Sequence, residues 1–437
     1  MNRVKLKDKK NEVKAFKFLL YSFIGVFMFF IPIELRGSRT IPIDHLVNML
    51  KALPYYEPIY GGVLIIIGAI FPFVNGTWNK DRTTTVFSML NILGVIFLIM
   101  LIFNIGPYPL LESDMISFIY KNIVIPVTTI IPIGSIFLAF IMNYGLMELI
   151  GVLMRPIMKP IWKTPGRSAI DAVTAFVGSY SVALLITNRA YKEGKYTERE
   201  ASIIGSGFTT VAVTIMIIVA KTSGIIEHWT FYFLFTLAVT FTVTAITSRI
   251  YPLNRKPETY YKGKDGDIEP DLKGNPFKIA WQEAMAVLNE SSPLLENIWR
   301  NLKDGIRLAI SIAPNIISIG VLGLIIANYT PLFDILGYLF YPITLILRIP
   351  EPLLAAKASA ISISEMLLPA VVVAEAPLVT RFIIAVVSVS EILFFSASIP
   401  CILSTEIPLT LKDIMIIWVQ RVILSLVIAG PILLLIL

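Results

Sequence analysis

Two carboxylates stand in a part of the chain apolar enough to sit in a membrane. Glu365 lies in ISISEMLLPAVVVAE and Glu391 in FIIAVVSVSEILFFSASIP, flanked by Ser359, Ser362, Ser364, Ser388, Ser390, Ser396 and Ser398. An ionisable group at bilayer depth is costly unless it faces a polar cavity or a partner, so such a residue points to a functional site. A carboxylate set among hydroxyls can accept hydrogen bonds from the hydroxyl or amino groups of a polar solute, or take up a proton. Ser362, Ser364, Glu365, Ser390 and Glu391 are therefore candidate substrate contacts. The bland alternative for Glu365 is an internal salt bridge to Lys357 or Arg381. Arg421, in IIWVQRVILSL, either snorkels toward the cytoplasm or neutralises Glu391 or a substrate carboxylate.

The rest of the chain fits a membrane setting. Of its 437 residues 56% are hydrophobic, the mean hydropathy is +0.76, and several apolar stretches approach the roughly 20 residues that cross a bilayer. With the single Cys401 and only His45 and His228, a disulfide, an Fe–S centre or a His-based metal site is not expected. Neither a G-x-x-x-x-G-K-[ST] loop nor an H-E-x-x-H motif is present. The triplet Gly205-Ser206-Gly207 has no histidine on a span to serve it as base. The expectation is a protein without enzymatic activity and without a cofactor, Na⁺ or H⁺ entering only as a coupling ion. The net charge of +7 reflects basic residues beside membrane spans rather than a nucleic-acid surface.

Candidate spans are 18–33, 60–74, 86–103, 123–150, 201–220, 229–250, 308–327, 382–403 and 414–437. Two interrupted apolar stretches, 169–187 and 352–373, read as re-entrant hairpins, the second broken near Pro369. With the N-terminus in the cytoplasm, the inner segments hold 28 basic residues and the outer segments 8. That asymmetry supports the topology and makes the two hairpins enter from opposite sides.

Opposite sides imply an inverted repeat. Asn143-Tyr144 recurs as Asn328-Tyr329, Gly151 and Pro156 as Gly337 and Pro342, and Pro165 as Pro350. Ser179 falls on Ser364, and Ser206 can be laid on Ser390. The expected organisation is scaffold spans over 1–120 and a first repeat over 121–253. A cytoplasmic linker with an amphipathic interfacial helix follows over 254–304, then a second repeat over 305–437. In the first hairpin Gly178 lets the helix break. Ser179, Tyr180 and Ser181 then place hydroxyls and freed carbonyls at the tip, as substrate contacts (with Asn188 after them) or as Na⁺ ligands together with Thr209 and Thr210. Close helix packing by small residues is the competing explanation. Buried acids are expected in the second repeat alone.

The stretches FVGSYSVALLITNRAYKEGKYTEREASIIGSGFTTV and KASAISISEMLLPAVVVAE resemble the nucleoside-recognition, or gate-domain, membrane proteins of the YjiH type, over roughly residues 132–437. These are distantly similar to the concentrative nucleoside transporters. The resemblance implies an all-α polytopic fold of two inverted units, each a re-entrant hairpin and a broken helix, beside N-terminal scaffold helices. It also implies that a glutamate of the second hairpin and polar residues on the following broken helix hold the solute, which fall on Glu365 and on Ser390 or Glu391. The transporters' Asn-Glu pair is Ser364-Glu365 here, and their Gln-Thr-Glu signature has no counterpart in Gly-Ser-Tyr-Ser. The expected function is Na⁺- or H⁺-coupled secondary transport of a small polar organic solute, nucleoside-like or an amino acid or dipeptide, by alternating access. The expected setting is a homo-oligomer in the bacterial inner membrane. The alternative is a non-transporting gate-domain component that assembles with a partner, as in spore-maturation relatives.

Overall fold

A computed structural model describes residues 2–35, 37–79, 82–107, 110, 115–177, 180–209, 212–266, 274–396, 398–403 and 405–437. Among these residues the fold is helical apart from one small antiparallel pair, β1 (Ile33–Leu35) on β2 (Ser38–Thr40). Among the described residues seven helices are long and apolar enough to cross a membrane. The chain is an all-α, multi-pass membrane protein.

The N-terminal part comprises α1 (Asn2–Phe30), α2 (Pro42–Lys51), α3 (Gly62–Val74) and α4 (Arg82–Phe103), and the short α5 (Met115–Ile119) leads into α6 (Ile125–Met142). Many apolar side chains of α3 and α4, among them Ile66, Ile70, Met89 and Ile99, are exposed, as suits helices that meet lipid. Both helices and α6 pack on α14 (Leu294–Tyr329). A Cβ on Gly68 would collide with the Ile310 carbonyl of α14, so only glycine permits that close crossing.

Two chain segments then share one order of elements. In the first, α8 (Ser168–Val177) and α9 (Tyr180–Lys192) pack as a pair and are followed by α10 (Glu198–Gly207) and α11 (Val213–Thr222). In the second, α17 (Pro352–Ile361) and α18 (Leu368–Val372) are followed by α19 (Leu378–Ser390) and α20 (Ser398–Leu403). The stretches expected as single spans over 201–220 and 382–403 are thus each two helices with a break between them. The long α12 (Trp229–Thr247) and α21 (Leu411–Ile436) pack on α19 and on each other. These three helices form the wall on which the second break sits.

Three expectations need correction. The span read over 123–150 is two helices, α6 and α7 (Leu146–Trp162), because the chain turns at Asn143–Gly145, where Gly145 has φ +94°, a conformation that disfavours a Cβ. The amphipathic segment near Leu294–Leu302 is no separate helix but the first third of α14, which continues into the span. The region read as linker holds a helix that was missed, α13 (Pro276–Glu290), capped by the Asn275 side chain and packed on α7, where Arg155 meets Glu283 at 3.3 Å. The short α15 (Leu332–Gly337) and α16 (Tyr341–Ile346) connect α14 to α17.

Candidate functional site

The second break is built from freed backbone. Helix α19 ends at Ser390, and Ile392 takes a left-handed conformation, φ +64°, which a β-branched residue adopts only under strain. The groups released there find new partners, as buried backbone must. The Phe394 N–H donates to Ser398 Oγ at 2.9 Å, and that hydroxyl donates to the Ile392 carbonyl at 2.8 Å. The next two N–H groups cross to the tip between α17 and α18: Phe395 to the Ile363 carbonyl at 2.7 Å and Ser396 to the Ser364 carbonyl at 3.0 Å. The tip and the break are therefore one hydrogen-bonded unit.

Both carboxylates predicted from the sequence lie on that unit. Glu365, half-buried at the tip, accepts from Ser396 Oγ on the break and from the Leu367 N–H at 3.3 Å. Glu391, fully buried at the start of the break, accepts at Oε2 from Ser362 Oγ on the tip and from Trp418 Nε1 on α21 at 2.8 Å. Its Oε1 has no hydrogen-bond partner. The salt bridges weighed for Glu365 do not form. Lys357 pairs with Asp334 at 2.9 Å, and Arg381 donates to the Ser223 carbonyl at 2.9 Å.

Arg421 neither snorkels nor forms an ion pair with Glu391. It is fully buried, and its Nε donates to the Ser390 carbonyl at 2.9 Å while Nη1 donates to Thr244 Oγ1 at 3.0 Å. Its Nη2 is left without a partner. Thr244 Oγ1 also lies 2.9 Å from the Gly207 carbonyl, and Thr240 Oγ1 lies 2.9 Å from Ser390 Oγ. Gly207 and Ser390 are the last residues of α10 and α19. Arg421 thus joins the C-terminal ends of both interrupted helices, where exposed carbonyls favour a cation.

The remaining predicted residues are placed differently. Ser364 Oγ turns onto the Ile361 carbonyl at 2.7 Å. Thr209, just beyond the end of α10, is buried and donates back to the Gly205 carbonyl of that helix at 2.8 Å. Asn188 Oδ1 accepts the Glu406 N–H at 3.0 Å, away from the two glutamates. Tyr180 and Ser181 begin α9, whereas Ser179 and Thr210 lie outside the described residues. The expectation that buried acids belong to the second segment alone fails. Asp171 on α8 is 3% exposed and accepts from the Tyr196 hydroxyl at 2.5 Å.

Thr240, Thr244 and Trp418 were missed by sequence reasoning. Their signals were present: Thr236, Thr240, Thr244 and Thr247 recur at helical spacing, and Trp418 precedes Arg421 by one turn. Trp418 is held edge-on against Phe340, centroids 5.5 Å apart.

The described residues thus form an apolar multi-pass helical fold with two interrupted helices and a buried polar centre. Residues 124–226 match the gate family model described as nucleoside recognition. The matched region ends before the segment that holds Glu365 and Glu391. An uncharacterized protein of Alkalihalophilus pseudofirmus is 29% identical over 427 residues, covering 94% of this chain and 92% of that protein. Among solved structures, a CNTnw variant in an outward-facing state is similar with a TM-score of 0.49 at 14% identity, covering 94% of this chain and 97% of that one. CNTnw in an inward-facing substrate-bound state is similar with a TM-score of 0.48 at 14% identity, covering 94% and 98%.

Proposed function

We propose that the chain is a secondary active transporter of a small polar organic solute, nucleoside-like or an amino acid or dipeptide, coupled to Na⁺ or H⁺ and working by alternating access. The observation that carries this reading is the joined tip and break, which brings a half-buried carboxylate, Glu365, to the mouth of a fully buried one, Glu391. Ionisable side chains on interrupted helices deep in an apolar fold are costly to keep, and substrate and ion paths are where such groups are found. The match to a model described as nucleoside recognition makes nucleosides the first solutes to try. The shared element order of the two segments supports two repeats, and the basic-residue asymmetry supports their inversion, with the N-terminus in the cytoplasm of a bacterium. A homo-oligomer in the inner membrane completes the reading.

Purified protein is tested by thermal shift against nucleosides, amino acids and dipeptides, and by uptake into proteoliposomes. A ligand at about 100 times its Kd adds roughly 2.7 kcal/mol to the stability of the state it binds. One such ligand, concentrated in the vesicle lumen under an ion gradient, is the expected result. Binding without uptake under any gradient contradicts the transporter reading and favours a gate-domain component that acts with a partner.

A further inference from the structure

The centre of the fold holds two opposite charges that are buried, adjacent and not paired with each other. Glu391 and Arg421 are both fully buried. Each has one polar atom without a partner, Oε1 and Nη2, and their charged groups are not within ion-pair distance. Leaving two such groups unpaired is expensive for ionised side chains. Hydrogen counting explains how Glu391 tolerates it. The Ser362 hydroxyl has one proton but two acceptors, the Ser359 carbonyl at 2.6 Å and Glu391 Oε2. Both contacts are satisfied when the carboxyl carries its own proton and donates it to Ser362 Oγ, Ser362 then donating to Ser359. Trp418 Nε1 donates in either case.

We infer that Glu391 is a proton-binding site whose occupancy is read by Arg421, and that this pair couples protonation to the two helix breaks. The inference rests on the transporter reading and makes H⁺ the coupling ion. With the proton bound, Arg421 stays on the Ser390 carbonyl and Thr244, and through Thr244 reaches Gly207, so that both breaks are held. When the proton leaves for water past the half-buried Glu365, the Glu391 carboxylate draws Arg421 Nη2 toward Oε1, and the bonds to Ser390 and Thr244 loosen. The arginine keeps its charge throughout and only its partner changes. The charged or titratable groups facing the pair are few. Glu365 faces Glu391 from the tip; on α12 the Tyr232 hydroxyl is bonded to the Ala385 carbonyl at 3.2 Å, and at the start of α21 Asp413 is held by Lys256 at 2.8 Å. Lys357 on α17 and Arg381 on α19 are engaged elsewhere, as is Lys221 on α11, 2.6 Å from Asp44.

The test needs no substrate. Infrared difference spectra of the purified full chain in lipid nanodiscs are recorded from about pH 5 to about pH 10, in sodium and in choline buffer. The expected result is a protonated-carboxyl band that titrates away, is missing in Glu391→Gln and is the same in both buffers. In Arg421→Met the midpoint moves to more alkaline pH by about tenfold in proton concentration or more. Should Arg421→Met fail to fold, Arg421→Gln, which removes the charge but keeps a donor for the Ser390 carbonyl, supplies the shifted midpoint. A band that does not titrate, or that survives in Glu391→Gln, overturns the proton site. An unchanged midpoint in the folded arginine variant overturns the coupling. A titrating, arginine-sensitive band in a protein that takes up no solute would sustain the switch while the transporter reading fails.

Discussion

The two interrupted helices end in the same way and are used differently. At the first, α10 stops at Gly207 and the hydroxyls at its end bond back to that helix: Ser206 donates to the Ser202 carbonyl at 2.7 Å, and Thr209, just past the end, to Gly205 at 2.8 Å. At the second, the serines reach across to other elements, Ser362 to Glu391 and Ser396 to Glu365, and the backbone of the break bonds to the tip. The described side chains of the first break bond within their own segment, and α12 and α21 reach it only at the Gly207 carbonyl through Thr244 and Arg421, whereas the second is a junction of tip, break and α21. The buried acid of the first segment, Asp171, is tied to Tyr196 and reaches neither break. A polar group that satisfies itself locally shapes a helix. One that depends on a neighbouring element can respond when that element moves.

Substitutions separate the two arrangements. The largest effect is expected from Glu391→Ala, which leaves the Trp418 N–H buried without its acceptor, removes the link between the break and Ser362 and opens a void, at a cost of about 4 kcal/mol. Arg421→Met follows at about 3 kcal/mol, because the Ser390 carbonyl loses its donor and Thr244 its bridge between the two helix ends. Glu365→Gln, at a half-buried tip, costs about 1 kcal/mol and yet is expected to abolish uptake. Thr209→Ala is the smallest, about 1 kcal/mol or less, with uptake retained. Thermal midpoints in detergent, measured side by side with uptake, give this order directly. A Thr209→Ala variant as damaging as Glu391→Ala would erase the distinction between the breaks.

Much of the second segment was legible in the sequence because its signals are chemical. Acids in apolar runs are rare and expensive, so Glu365 and Glu391 stand out without any knowledge of the fold, and their neighbouring serines prove to bond them. The break after Ser390 was expected only from the resemblance and leaves no local signal, since SVSEILFF contains neither Gly nor Pro and the strain falls on Ile392. Arg421 was visible as a charge in a span. Its partners were not, because a carbonyl at a helix end and a threonine on another span leave no mark at the arginine's own position. The Thr209 hydroxyl, weighed as an ion ligand, donates to the Gly205 carbonyl, which was hidden for a related reason. A sequence shows which side chains carry hydroxyls, but not whether a helix has already claimed them, as it has for Thr209. The continuity of α14 was missed because its amphipathic start and apolar remainder differ in pattern while sharing one helical period.

The most direct measurement is uptake into proteoliposomes by the wild type, Glu365→Gln, Glu391→Gln and Thr209→Ala, using whichever nucleoside, amino acid or dipeptide the wild type carries. Loss of uptake in both glutamate variants, with Thr209→Ala near wild-type rates and all four proteins folded, is the predicted result. Intact uptake in Glu365→Gln and Glu391→Gln would contradict the claim that the junction of tip and second break is the site.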